Sequence, residues 1–296
     1  MLCSFDSPRC TNHQESRRHL ADRVLEPSHA AFARPERRDR HFVDLYFERF
    51  YPYWPFVHRV SFNVSRETPL LTQSMMDIGL WASGEQSAQR ATLDLHRTLD
   101  LANHQQREVW DASIAEDAGS TCSWPIATYQ AILLHVMFAI MRQGGSSVGF
   151  DLKLALPPAD SQLLDSLVGS CKQLGMFYYP NIVAQHLPVS VTEIAWVGIE
   201  EVKRFNLTLY KVHKMLSRWE PGAGLAEGDT VPEASGRGLA AIDLQFPMPT
   251  NNRLWNAANK NGCLRPNMWA ISRWKTPRKT NGSPTRQNLL HYWPST

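Results

Sequence analysis

Residues 124–143 read Trp-Pro-Ile-Ala-Thr-Tyr-Gln-Ala-Ile-Leu-Leu-His-Val-Met-Phe-Ala-Ile-Met-Arg-Gln, and their reading decides the fold. The run is apolar on nearly every side, so periodicity alone does not separate a buried strand from a buried helix. Length does: buried strands run about 4–8 residues, and this segment is far longer. A helix apolar all round belongs at the centre of a bundle. Gly144-Gly145-Ser146-Ser147 closes it. The near-apolar stretch Ala131–Met141 contains His135 and falls well short of the ~20 residues that a membrane span requires.

Helical patterns surround that segment. Phe42, Leu45, Tyr46 and Phe50 share one face of a helix that starts near Asp39 and stops near Tyr51, because Pro52 disfavours helix at the residue before it. Thr68-Pro69 is a start signal, with Leu71, Met75, Ile78 and Ala82 following at helical spacing and Gly84 closing. Ala88, Ala91, Leu95, Leu99 and Ala102 mark the next helix, with Arg90, Asp94, Arg97 and Asp100 outward. Leu163, Leu164, Leu167, Val168, Cys171 and Leu174 give an amphipathic helix begun by Pro157-Pro158 and halted by Gly175 and Pro180. Ser190 and Glu193 form a capping-box pattern. The longest helix follows, with Ile199, Val202, Phe205, Leu209, Val212, Leu216 and Trp219 in steps of three or four. Residues 220–238 read as a Gly/Pro/Glu-rich loop. With no period-two runs and no internal repeat, the expected fold class is all-α, an irregular multi-helix bundle.

The charge is unevenly distributed. From Arg253 onward there are eight Lys/Arg and no acidic residue, and residues 1–40 hold eight basic and six acidic residues. Because the whole chain carries +3, residues 41–252 carry −7. An acidic body with a basic tail is not the footprint of a domain that grips DNA along its face. The expected organisation is a disordered linker remnant at 1–38, a helical domain at 39–257 and a basic, disordered tail at 258–296. No signal peptide is visible at the N-terminus. Five cysteines without tight pairs fit reduced thiols in an intracellular protein, so the sequons at Asn63, Asn206 and Asn281 are read as chance.

Motifs that carry chemistry are sparse. Gly145-Ser146-Ser147-Val148-Gly149 matches the nucleophile-elbow pattern, which needs a strand before the serine and a helix after it; a Gly/Ser helix terminator is the reading adopted, with a serine hydrolase at Ser147 the remote alternative. Cys3, Cys10 and His13 cluster, but structural zinc takes four ligands, and only His19 stands near as a fourth. Neither a binuclear cluster nor a complete finger can be drawn, so the reading is chance placement, with a lost zinc module the alternative. His58, His135 and His213 are read as hydrogen-bonded core or boundary residues. Glu200-Glu201 with Lys203-Arg204 is read as a solvated face making i,i+3 and i,i+4 pairs. Arg273 to Lys279 is a basic cluster suited to nuclear import, to a weak nucleic-acid contact or to a solvated tail. No catalytic, cofactor-binding or metal-binding residue is nominated, and the chain is read as a non-enzyme.

Leu45-Tyr-Phe-Glu-Arg-Phe-Tyr-Pro-Tyr-Trp-Pro-Phe-Val-His58 packs seven aromatic side chains into fourteen residues, and it resembles the opening of the fungal-specific transcription factor domain. Pro69-Leu70-Leu71 through Met75-Met76-Asp77-Ile78-Gly79 resembles the helix that follows in that family. Trp196 to Phe205 resembles its "W..WieeE..kR" segment, with Gly198 close to where a second tryptophan is usual. Asp243 to Pro249, followed by Leu254-Trp255-Asn256-Ala257, resembles its "el.lPlP….lWeA" segment, in the branch linked to paired classical zinc fingers. The family's aspartate after the "E..kR" helix is not recognisable in Leu207–Trp219, and residues 258–296 resemble no part of the domain.

The resemblance implies a regulator of RNA polymerase II transcription in the nucleus, truncated at both ends. It also implies zinc and DNA contact in a separate module not visible here, and transcription-machinery partners or a homodimer. The alternative is an interaction or dimerisation module without DNA contact. On either reading Tyr46, Phe50, Trp54, Phe56, Trp196 and Trp255 are core residues, and no membrane is involved.

Overall fold

The segment at 126–143 forms one helix, and the other elements pack around it. The structure, a computed structural model, describes residues 35–114, 123–143, 156–186, 192–217, 238–250 and 252–256. Its helices are α1 (Pro35–Leu45), α2 (Pro69–Ala82), α3 (Gln86–Gln105), α4 (Arg107–Trp110), α5 (Ile126–Gln143), α6 (Pro158–Gln173), α7 (Tyr179–His186), α8 (Thr192–Ser217) and α9 (Asn252–Trp255). Among the described residues there is no strand; the sole β-type pairing is an isolated bridge between Tyr178 and Gln245. The fold is all-α, as its periodicities predict.

Every residue of α5 from Tyr129 to Met141 is buried. The helix meets α2, α3, α6 and α8. A surface helix needs only one apolar stripe; α5 has neighbours on all sides and therefore carries apolar residues on all sides.

α1 departs from the expected face. Its last turn widens into a π-helical segment, Tyr46–Phe50, continued by a Tyr51 N–H to Tyr46 C=O bond of 3.0 Å. A π turn shifts register by about one residue. Phe47 and Tyr51 consequently join Val43, Tyr46 and Phe50 in the core, while Phe42 and Leu45 stay half-buried. α1 crosses α2 where Gly79 sits: a Cβ there would lie 1.9 Å from the Phe42 carbonyl oxygen, so only glycine permits the approach.

Thr68 caps α2 by accepting the Leu71 N–H at 3.4 Å, and Gly84 follows the helix at φ +76°, as the sequence signals predict. On α3 the buried stripe is Ala88, Thr92, His96, Leu99 and Ala102. The expected Ala91 is exposed and Leu95 half-buried, because a polar histidine faces α5 instead. Gly175, at φ +64°, turns the chain after α6. Pro180 does not break structure but lies in the first turn of α7, a helix the sequence reading omitted; proline costs little there because the first N–H groups are unpaired anyway. Gln245 then bonds back to the α6–α7 turn, donating to Phe177 O (2.9 Å) and accepting from Tyr179 N (3.0 Å).

Candidate functional site

Buried polar groups of residues are built on this scaffold along α8 and around His135. The first corrects the sequence reading. Glu200, Lys203 and Arg204 are not solvated: they are 1%, 0% and 1% exposed. Thr250, Asn252 and Trp255 lie over a second side of α8, so its charged stripe faces protein. Glu200 pairs with Lys203 one turn on and also accepts from Thr250 N (2.7 Å) and Thr250 Oγ1 (2.9 Å). Arg204 donates to Thr250 O (2.5 Å) and Asn252 Oδ1 (2.8 Å), and its guanidinium lies 4.6 Å over the Trp255 ring. Burial lowers the Lys203 pKa, and the Glu200 carboxylate opposes that effect.

Glu201 extends this seam to the aromatic segment. Its Oε1 accepts from His58 N (3.0 Å) and from Gln130 Nε2 (3.1 Å), and that amide also donates to Phe56 O at 3.1 Å. Burial pushes the Glu201 carboxyl up to about 7, with Glu67 adding to the rise. Burial drives His58 down to about 4, so the imidazole is neutral at pH 7. With Trp255 O 3.1 Å from Nε2, that nitrogen carries the proton, and Nδ1 accepts from Ser61 Oγ at 2.8 Å. Both ring nitrogens are thus engaged, and His58 is a structural bridge rather than a free base. A cavity of about 170 Å³ lies beside it, edged by Leu71, Ile126 and Glu201. Sites for drug-sized ligands run to roughly 300–1,000 Å³; this space suits a few waters.

The second group lies between α3, α5 and α6. His96 Nδ1 meets Asp77 Oδ2 at 3.1 Å, and the His96 ring stacks on His135 with centroids 4.1 Å apart. His135 Nε2 points between Asp100 Oδ1 (3.5 Å) and Asp160 Oδ1 (3.4 Å). Those gaps exceed the about 2.7–3.2 Å of a hydrogen bond, and neither ring nitrogen of this 1%-exposed residue has a hydrogen-bond partner. Burial alone would lower the His135 pKa; the two carboxylates outweigh it, so the net direction is upward. The neighbouring His135 in turn holds Asp100 below the usual carboxylate range. Asp100, His135 and Asp160 offer one ligand atom each, all within 4.8 Å of one another.

The six aromatic residues assigned to the core are all buried there, from Tyr46, Phe50, Phe56 and Trp255 at 0% to Trp54 at 7% and Trp196 at 9% exposed. His58 and His135 are core histidines, and His213 is a boundary residue near Ser217 Oγ. The strand required before a nucleophile at Ser147 is the helix α5. Ser147 itself, Cys3, Cys10, His13, His19 and the basic cluster Arg273–Lys279 lie outside the described residues. Sequence reasoning missed the His135 group because Asp100, His135 and Asp160 are 25 or more positions apart and no local motif marks them. The one available signal was an ionisable residue inside an otherwise apolar helix.

Residues 43–176 match the family of the fungal specific transcription factor domain. The match runs from α1 to the turn after α6. It includes the aromatic opening and the α2 segment, and it ends before Trp196 and Trp255. No curated protein and no solved structure matches the chain. Among the described residues no helix is long and apolar enough to cross a membrane.

Proposed function

We propose, from the premise that the chain carries a fungal specific transcription factor domain, that it regulates RNA polymerase II transcription in the nucleus through protein partners. The observation that supports this most is the family match over 43–176, which coincides with the half of the bundle centred on α5. DNA recognition falls to a separate zinc module, and the helical body supplies regulation. The net −7 of residues 41–252 supports that division, since an acidic surface repels a polyphosphate backbone.

The same charge favours a second reading, in which the chain acts only by binding or titrating a partner regulator. A tethering assay tests the proposal. Fused to a heterologous DNA-binding module in a fungal cell, the full chain should change expression of a reporter carrying the cognate sites. An unchanged reporter, with the fusion present in the nucleus at normal level, would remove the regulatory reading.

A further inference from the structure

We propose that Asp100, His135 and Asp160 form a binding site for a divalent metal ion of the zinc class, tying α3, α5 and α6 together. The geometry supports this independently of the regulatory role. Zinc takes ligands from His nitrogen and Asp oxygen at about 2.0–2.2 Å in a tetrahedral shell, which places neighbouring ligand atoms about 3.3–3.5 Å apart. His135 Nε2 stands 3.5 Å and 3.4 Å from its two carboxylate oxygens. A direct charge-assisted hydrogen bond would instead close to about 2.7–2.9 Å. Two of the three ligand–ligand spacings are thus those of a shared ion, and the third, between the two carboxylates, lies within 4.8 Å.

The chemistry agrees. Two carboxylates and a neutral imidazole carry −2, which one divalent cation cancels. An imidazolium between them would leave the group at −1 on largely buried residues. The nitrogen ligand argues against calcium and magnesium, which take oxygen. Asp160, in the first turn of α6, and His135 are buried, whereas the Asp100 side chain is 44% exposed and opens the fourth position to water. His104 Nε2, 3.4 Å from Asp100 Oδ1, stands at that opening. Behind the site the His96 ring, held by Asp77, stacks on His135 and fixes the plane of the ligating imidazole.

The test uses the full chain stripped with a chelator and titrated with Zn²⁺, then with Co²⁺ as a spectroscopic probe. The expected result is one equivalent bound at this site, the visible absorption of four-coordinate cobalt and a rise in Tm. Loss of even an outer-shell partner costs about 10–100-fold in metal affinity, so His135→Gln and Asp160→Asn should lose at least about tenfold. Asp100→Asn, at a position whose side chain is 44% exposed, keeps the test decisive should the buried variants not fold. Failure to take up zinc would overturn the site. Uptake unchanged in Asp100→Asn and in whichever buried variants fold would overturn it too, assigning the metal to other residues such as Cys3, Cys10 and His13.

Discussion

The α8 seam and the His135 group are both buried, both ionic and both inter-helical, yet they are finished to different degrees. In the seam the charges meet complementary groups: Glu200 has Lys203 and Thr250, Arg204 has Thr250, Asn252 and Trp255, and Glu201 has His58 and Gln130. In the His135 group His96 is held by Asp77, but His135 Nε2 stands just beyond hydrogen-bond reach of its two carboxylates, and its Nδ1 has no hydrogen-bond partner. A satisfied buried network specifies how segments dock. An incompletely satisfied one calls for something more, which is why the first reads as structure and the second as a site.

Breaking the seam should have the largest effect. Glu200→Gln leaves the Lys203 ammonium buried without its counter-charge, and such a loss typically costs about 3–5 kcal/mol. Adding Lys203→Met to Glu200→Gln should recover much of that cost in a double-mutant cycle read by denaturant unfolding, with Lys203→Met as the second single variant. Losses that simply add in the double variant would show that the pair is not coupled.

His58 and His135 sharpen the contrast through pH. His58 titrates near 4 when folded against 6.5 as a free side chain, so its contribution is full above pH 6.5 and is lost as pH falls toward 4. Glu201 works oppositely: with a folded pKa of about 7 against 4.5, it reduces stability as pH rises between those values. The two trends largely cancel in the wild type. Glu201→Gln should therefore unmask a stability that climbs with pH over 4.5–6.5, by at most ~1.4 kcal/mol per pH unit. A flat profile in that variant would contradict the seam's electrostatics. His135, whose pKa is raised, stabilises the metal-free chain below pH 6.5 and less as pH rises through its folded pKa.

Smaller effects are expected at the open group and at the helix interface. Asp160→Asn in metal-free protein should change stability by no more than ~1 kcal/mol, because it removes one of two carboxylates competing for one imidazole. A loss as large as that of Glu200→Gln would place this group in the same class as the seam. At Gly198 a Cβ would meet the His186 ring at 2.4 Å, a movable side chain rather than backbone. Gly198→Ala should cost less than ~1 kcal/mol by thermal melting, since helix propensity favours alanine. Gly79→Ala, which meets the Phe42 carbonyl, should exceed it clearly.

The bundle was legible because apolar spacing records which face of a helix is covered. α2, α5, α6 and α8 follow directly from their periodicities and their Thr, Pro and Gly punctuation. The π turn at Tyr46–Phe50 was not legible, since one inserted residue changes no composition. The seam was misread for a related reason. Glu200-Glu201 with Lys203-Arg204 has the spacing of a solvated face, and the return of Thr250, Asn252 and Trp255 across α8 covers it. Gly198, close to where the resemblance leads one to expect a second tryptophan, lies beside a residue 12 positions away: the His186 ring occupies the space next to it. The His135 group rests on tertiary contact between three helices, which no local spacing encodes.

The central functional claim is that the helical body regulates without reading DNA. Fluorescence anisotropy of the full chain against several labelled duplexes at physiological salt tests it most directly. The expected affinities are no tighter than the roughly 10⁻⁴–10⁻⁶ M of non-specific binding, indifferent to sequence. Saturable binding to one duplex in the roughly 10⁻⁸–10⁻¹¹ M range of specific recognition would contradict it.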